Sequence, residues 1–120
     1  MVPLAEDRRL PGAITVEDEG SLRVLCLRGE VDSGVVARFR EQLRASQPVV
    51  VDAIDADGVS FISSTGLAVM ITCVERSLAV GRRTVLRASS HPVDRLLLMS
   101  GMDDLFPRAH GTPAQAETDG

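Results

Sequence analysis

The chain has 120 residues, 44% of them hydrophobic and 25% charged, with a net charge of -4. That is enough for one domain built on one core, ordinary in composition for a soluble globular protein. No basic run serves nucleic acid or an anionic membrane, an aromatic content of 2% gives bases nothing to stack on, and no apolar run nears the ~20 residues of a membrane span.

Met1–Arg9 is short and mixed, without the apolar core of a secretion signal. A cytoplasmic location is therefore expected, with Cys26 and Cys73 as reduced thiols. Pro11-Gly12 ends a loose lead-in expected over residues 1–12. Ala13–Glu17 reads as an edge strand and Asp18-Glu19-Gly20 as a turn. Ser21–Arg28 alternates Leu22, Val24 and Cys26 on one side with Leu25 and Leu27 on the other, which predicts a central strand covered on both faces. Gly29-Glu30-Val31-Asp32 leaves that strand. Asp32 or Ser33 then caps a helix to about Ala45, with Val36, Phe39 and Leu43 at i, i+3, i+7 spacing.

Gln47-Pro48 ends that helix. Val49–Ile54 reads as a buried strand, Asp55-Ala56-Asp57-Gly58 as the turn after it, and Val59–Ile62 as an apolar lead into a hydroxyl cluster. The central helix is expected from about Ser64 to Val80, stopped by Gly81. Thr84–Arg87 reads as a short strand. His91 is expected to cap a third helix opened by Pro92 and closed by Gly101. Leu105-Phe106 reads as a last short strand or turn. His110–Gly120 is polar with almost nothing to bury, so residues 108–120 are expected to form a disordered tail around a domain of residues 13–107. Strands alternating with helices imply parallel pairing, and the short first link implies an antiparallel pair. The expected fold is α/β: a small mixed sheet of four to five strands, an antiparallel edge pair plus parallel strands, packed with three to four helices.

Enzyme chemistry finds little support. His91 and His110 are the only histidines, and neither stands near a nucleophile. Two histidines and two cysteines, all scattered, make no zinc set. No phosphate-binding glycine pattern occurs, and Asp55 and Asp57 read as a solvated turn. No cofactor and no metal are expected.

The informative stretch is Phe61-Ile62-Ser63-Ser64-Thr65-Gly66-Leu67. Its hydroxyls fall at a helix N-terminus, where orphan N–H groups and the positive end of the macrodipole point outward. A hydroxyl there can cap the helix, or hold a phosphate. Three hydroxyls exceed what one cap needs. With Leu67, Met70 or Ile71, Val74 and Leu78 as the core stripe, the small residues Ala68, Val69, Thr72 and Cys73 are left on a flank suited to protein docking.

The same stretch resembles the Asp-Ser-Ser/Thr-Gly-Leu signature of STAS domains, in particular bacterial anti-sigma factor antagonists. Leu27–Asp32 is similar to that family's strand-end Gly-Glu-Leu/Val-Asp, Val49–Asp52 to its strand before the site, and Ser100–Phe106 to its closing Ser-Gly-Leu-x-x-x-Phe. The resemblance covers Ala13 to Pro107. It implies a switch of partners. The unmodified protein binds an anti-sigma factor of serine-kinase fold and frees a sigma factor. That kinase phosphorylates the antagonist and the pair separates; a serine phosphatase resets it. Carried over, the acceptor is Ser64, with Thr65 as second choice. The contact surface joins Asp32 at the sheet end to Ser63, Ser64, Thr65 and Gly66 at the helix start and to Ala68, Val69 and Thr72 along the flank. One departure stands out: the family's usual Asp before the acceptor is Ser63 here, which can cap but carries no charge for the kinase. Two other readings stay open. One is a STAS module without turnover, as a stress-sensing scaffold or a transporter's accessory subunit. The other is a phosphate-ligand site at the helix start.

Overall fold

The computed structural model describes residues 11–43 and 50–108. The expected lead-in before Pro11, the first helix's end near Ala45, Gln47-Pro48, Val49 and the tail from His110 lie outside them; the strand expected from Val49 starts only at Ala53, after residues 50–52 have run up to it outside the strand. Four strands make one sheet in sequence order: β1 (Ala13–Glu19), β2 (Leu22–Val31), β3 (Ala53–Ile62) and β4 (Val85–Ser89). β1 and β2 run antiparallel; β2–β3 and β3–β4 are parallel. The described helices are α1 (Ser33–Leu43), α2 (Ser64–Ala79) and α3 (His91–Ser100), followed by a 3₁₀ turn at Asp103–Leu105. The mixed sheet with three helices is the architecture expected from the chain's alternation.

Gly20-Ser21 joins β1 to β2 with Gly20 at φ +62, the left-handed conformation a two-residue hairpin needs. β2 continues beyond Arg28 to Val31. Its Val24, Leu25, Cys26 and Leu27 are all buried, as a central strand requires. The two faces are closed differently. Helices cover Leu25, Leu27, Val31, Ile54 and Val59. On the other face a small cluster of Val24, Cys26 and Ala53, with Val85 against it, lies among charged side chains. Arg87 there grips Glu19 at 2.7 and 3.1 Å and Asp55 at 2.9 Å, and Arg28 pairs with Glu17 at 3.6 Å. Burial raises the Asp55 carboxyl, but hydrogen bonds from Arg87 and the Asp57 N–H outweigh it and leave it lowered.

Asp55–Gly58 is not a turn. It lies inside β3, and the ladder to β2 skips from Cys26↔Asp55 to Arg28↔Gly58. Ala56 is fully buried, so the chain is held in the sheet while a bulge absorbs the extra residue. Gly58 passes close to Arg28, whose Cβ would lie 3.3 Å from an added methyl. β4 runs Val85–Ser89 and stops opposite Ala56, and α3 packs against β3 from there. Ser90, rather than His91, occupies the N-cap of α3, and its side chain makes no capping bond. Gly81 and Gly101 end their helices at φ +77 and +74, as expected.

Both margins of the expected domain are fastened to it. Pro11 bridges to Glu30, and a Cβ on Gly12 would lie 1.8 Å from the Glu30 carbonyl oxygen. At the other end Arg108 bridges to Leu86 and holds Ser89 (2.8 Å), Asp94 (3.2 Å) and Asp103 (3.1 Å). A buried knot ties α2 to the strands: the Val51 carbonyl accepts from Thr84 Oγ1 at 2.7 Å and Ser77 Oγ at 3.1 Å.

Candidate functional site

Two strands deliver the site. Val31 and Ile62 are the last paired residues of β2 and β3. Asp32 and Ser63 follow them, each as the cap of the next helix, so two helix N-termini stand side by side on the carboxyl edge of the sheet. Asp32 Oδ1 accepts the Val35 N–H at 2.9 Å. The Ser63 N–H donates to the Val31 carbonyl at 2.9 Å, the final rung, and the chain then turns into α2.

The three hydroxyls are not equivalent. Ser63 is extended (φ -85, ψ 169), and its Oγ accepts the Gly66 N–H at 3.2 Å. Thr65 Oγ1 lies 2.8 Å from the same oxygen, so these two side chains satisfy each other and the cap. Ser64 stands between them, exposed, and its Oγ makes no hydrogen bond among the described residues. The first turn of α2 contains no acidic residue, so its positive end is uncompensated. Gly66 sets how low the helix sits: a Cβ there would come within 2.9 Å of Ile62 and 3.0 Å of Val31.

The expected contact surface divides. Asp32, Ser64 and Thr72 are exposed, and Ser63, Thr65 and Ala68 are half-buried. Gly66 and Val69 are buried and present nothing to a partner. Cys73, expected on the same flank, is also in the core, whereas Leu78, expected in the core, is 59% exposed. The buried arc of α2 runs through Gly66, Leu67, Val69, Met70, Cys73, Val74 and Ser77. At 100° per residue its centre is rotated by roughly 60–90° from the expected stripe. Apolar residues surround most of this helix, so spacing alone does not fix its phase. The open face is narrower and more mixed than expected, with Ile71 half-buried and Glu75 exposed beside Ala68 and Thr72.

Other chemistry is sparse. Among the described residues no group of His, Cys, Asp and Glu is arranged to hold a metal, and no helix is long and apolar enough to cross a membrane. Cys26 and Cys73 are free and buried, and burial pushes the Cys73 thiol up to about 11. Asp55 and Asp57 do not form a cation site, because Arg87 occupies Asp55. A polar cleft of about 270 Å³ lies at the opposite end of the sheet, between Ser21 and Asp52. Its arginines are already paired, Arg23 with Asp18 at 3.2 Å and Arg82 with Asp52.

Comparison with known proteins gives one consistent answer. The family description "STAS domain" matches residues 13–116. An anti-sigma factor antagonist from Mycobacterium paratuberculosis shares the fold at a TM-score of 0.60 and 23% identity, over 91% of this chain and 93% of that one. The unphosphorylated form of the antagonist SpoIIAA matches at 0.60 and 23%, over 86% and 91%. The phosphorylated form of SpoIIAA, a Bacillus cell fate determinant, matches at 0.55 and 22%, over 88% and 97%. No curated protein sequence matches the chain.

Proposed function

The chain belongs to the STAS domain family, and on that footing we propose that it is an anti-sigma factor antagonist switched by phosphorylation of Ser64. In this reading the unmodified protein docks on a cytoplasmic anti-sigma factor of serine-kinase fold and displaces a sigma factor. The kinase transfers the γ-phosphoryl group of ATP to Ser64 Oγ, with the hydroxyl proton passing to a base on the kinase and ADP leaving. A serine phosphatase restores the hydroxyl by hydrolysis. The chain itself supplies the acceptor and the contact surface, and no catalytic group.

One observation carries the reading: of three adjacent hydroxyls, Ser64 alone is exposed and uncommitted, while Ser63 and Thr65 are tied to each other and to the cap. The family resemblance points to the same residue. Phosphorylation adds roughly -1.5 to -2 charges at pH 7. At its own helix N-terminus that charge is favourable by about 0.3–1 kcal/mol, so the fold persists. In a close interface it must be desolvated and meets any acid opposite, which costs several kcal/mol. Contact surface then reduces to Asp32, Ser63, Ser64, Thr65, Ala68 and Thr72, with Gly66 and Val69 seating the helix from below.

A second reading, a STAS module without turnover, draws support from Ser63. It caps α2 as an aspartate would but leaves the acceptor without a neighbouring charge. Incubation with ATP and the serine-kinase-fold anti-sigma factors of the same genome separates the two. A mass gain of one phosphoryl group, absent in Ser64→Ala, supports the switch. Stable association without mass gain supports the second reading.

A further inference from the structure

We infer that Phe61 is the apolar anchor of the partner interface, filling a pocket on the protein that covers Ser64. The chain has three phenylalanines; Phe39 and Phe106 are 5% and 2% exposed, whereas Phe61 is 49% exposed. It is the next-to-last residue of β3, paired with Glu30, and it faces away from the core side taken by Ile62. It therefore stands on the carboxyl edge of the sheet, on the face without helices.

Distance decides which exposed apolar residues a Ser64-centred partner can reach. A standard interface covers about 800 Å² on each side, a disc of about 16 Å radius. Three residues of chain separate Phe61 from Ser64, at most about 11 Å. A partner with a footprint of that size centred on Ser64 reaches Phe61 if it wraps the carboxyl edge of the sheet onto the face without helices. Leu78 and Val80 lie fourteen and sixteen residues along from Ser64, about 21 and 24 Å away. Leu22 begins β2, nine residues before Val31, about 30 Å from the edge. Leu98, Met99 and Leu105 lie on α3 and the turn after it, and nothing in the structure says what covers them. Phe61 is thus the large exposed apolar side chain nearest to Ser64 along the chain. Aromatic residues with polar neighbours, here Ser60 and Ser63, are the usual centres of binding energy. The ledge of α2 is too small-featured to supply such a centre.

This inference rests on the antagonist reading, and the experiment keeps the two apart. Binding of the full chain to each serine-kinase-fold anti-sigma factor of its genome is measured by calorimetry for wild type, Phe61→Ala, Leu78→Ala and Ser64→Glu. Ring resonances of the three phenylalanines are followed as partner is added. The expected result is a loss of at least tenfold for Phe61→Ala, less than twofold for Leu78→Ala, and movement of the Phe61 ring signals. The ring signals come from unmutated protein, so they decide the matter even if Phe61→Ala folds poorly. If Ser64→Glu weakens binding while Phe61→Ala changes it less than twofold and the Phe61 ring signals stay in place, the anchor assignment is overturned and the antagonist reading stands. If the wild-type chain binds none of these proteins, both are overturned.

Discussion

Replacing Ser63 tests the division of labour among the three hydroxyls most sharply. In Ser63→Ala, α2 loses the acceptor for the Gly66 N–H, and Thr65 Oγ1 loses its 2.8 Å partner. Loss of an N-cap costs typically about 1 kcal/mol. The capping bond here is long at 3.2 Å, which favours the lower half of the usual range, but the orphaned Thr65 hydroxyl adds to it. A net loss of about 1 kcal/mol would lower the melting temperature by roughly 4–8 °C for a domain of this size. Ser64→Ala, one residue on, should move it by less than about 2 °C, since the exposed hydroxyl holds nothing. Ser63→Asp should raise it, because α2 has no acid in its first turn and an anion there is worth about 0.3–1 kcal/mol. Differential scanning calorimetry of the three variants reads all these shifts. Equal losses for Ser63→Ala and Ser64→Ala, or none for Ser63→Ala, would refute the assignment of cap and acceptor.

Gly66→Ala should destabilise by about 1–3 kcal/mol in denaturant titration, because the added methyl meets Ile62 and Val31 at 2.9 and 3.0 Å. Thr84→Val removes one of two donors to the buried Val51 carbonyl and should cost about 1–2 kcal/mol, with Ser77 keeping the other bond. The Cys73 thiol, raised by burial to about 11, favours the neutral form in the folded state. Its folded pKa lies above the unfolded value, so the stability it contributes is intact below about pH 9 and lost as pH climbs toward 11, by about 2 kcal/mol. Cys73→Ala should flatten that part of the alkaline unfolding curve, and a thiol reagent at pH 8 should modify native Cys73 only as fast as the protein opens.

Much of this fold can be read from local chemistry. The alternation in Leu22–Leu27 marks a central strand, Gly20 a tight turn, Asp32 a cap, and Gly81 and Gly101 helix ends, because each feature depends on residues within a few positions. What could not be read locally depends on neighbours distant in sequence. Asp55-Ala56-Asp57-Gly58 has turn chemistry, but pairing with β2 and β4 keeps it in a strand and converts the surplus residue into a bulge. The phase of α2 is set by what packs on it, and Val69 and Cys73 were therefore expected on the open flank although they are core. The outer face of the sheet is closed by Arg87 reaching Glu19, 68 residues away, and no periodicity signals that. At the site itself the residue types and order are legible, whereas the contrast between committed Ser63 and Thr65 and uncommitted Ser64 arises only in the folded geometry of the helix start.

The most direct test of the switch is to prepare the protein with and without phosphate on Ser64 and measure two quantities on the same samples, affinity for the anti-sigma factor and melting temperature. A contact cost of about 3 kcal/mol predicts a roughly hundredfold weaker complex, with a melting temperature unchanged or a few degrees higher. Equal affinities for the two forms, or a modified protein that melts well below the unmodified one, would contradict a phosphate that acts by blocking contact and leaves the fold intact.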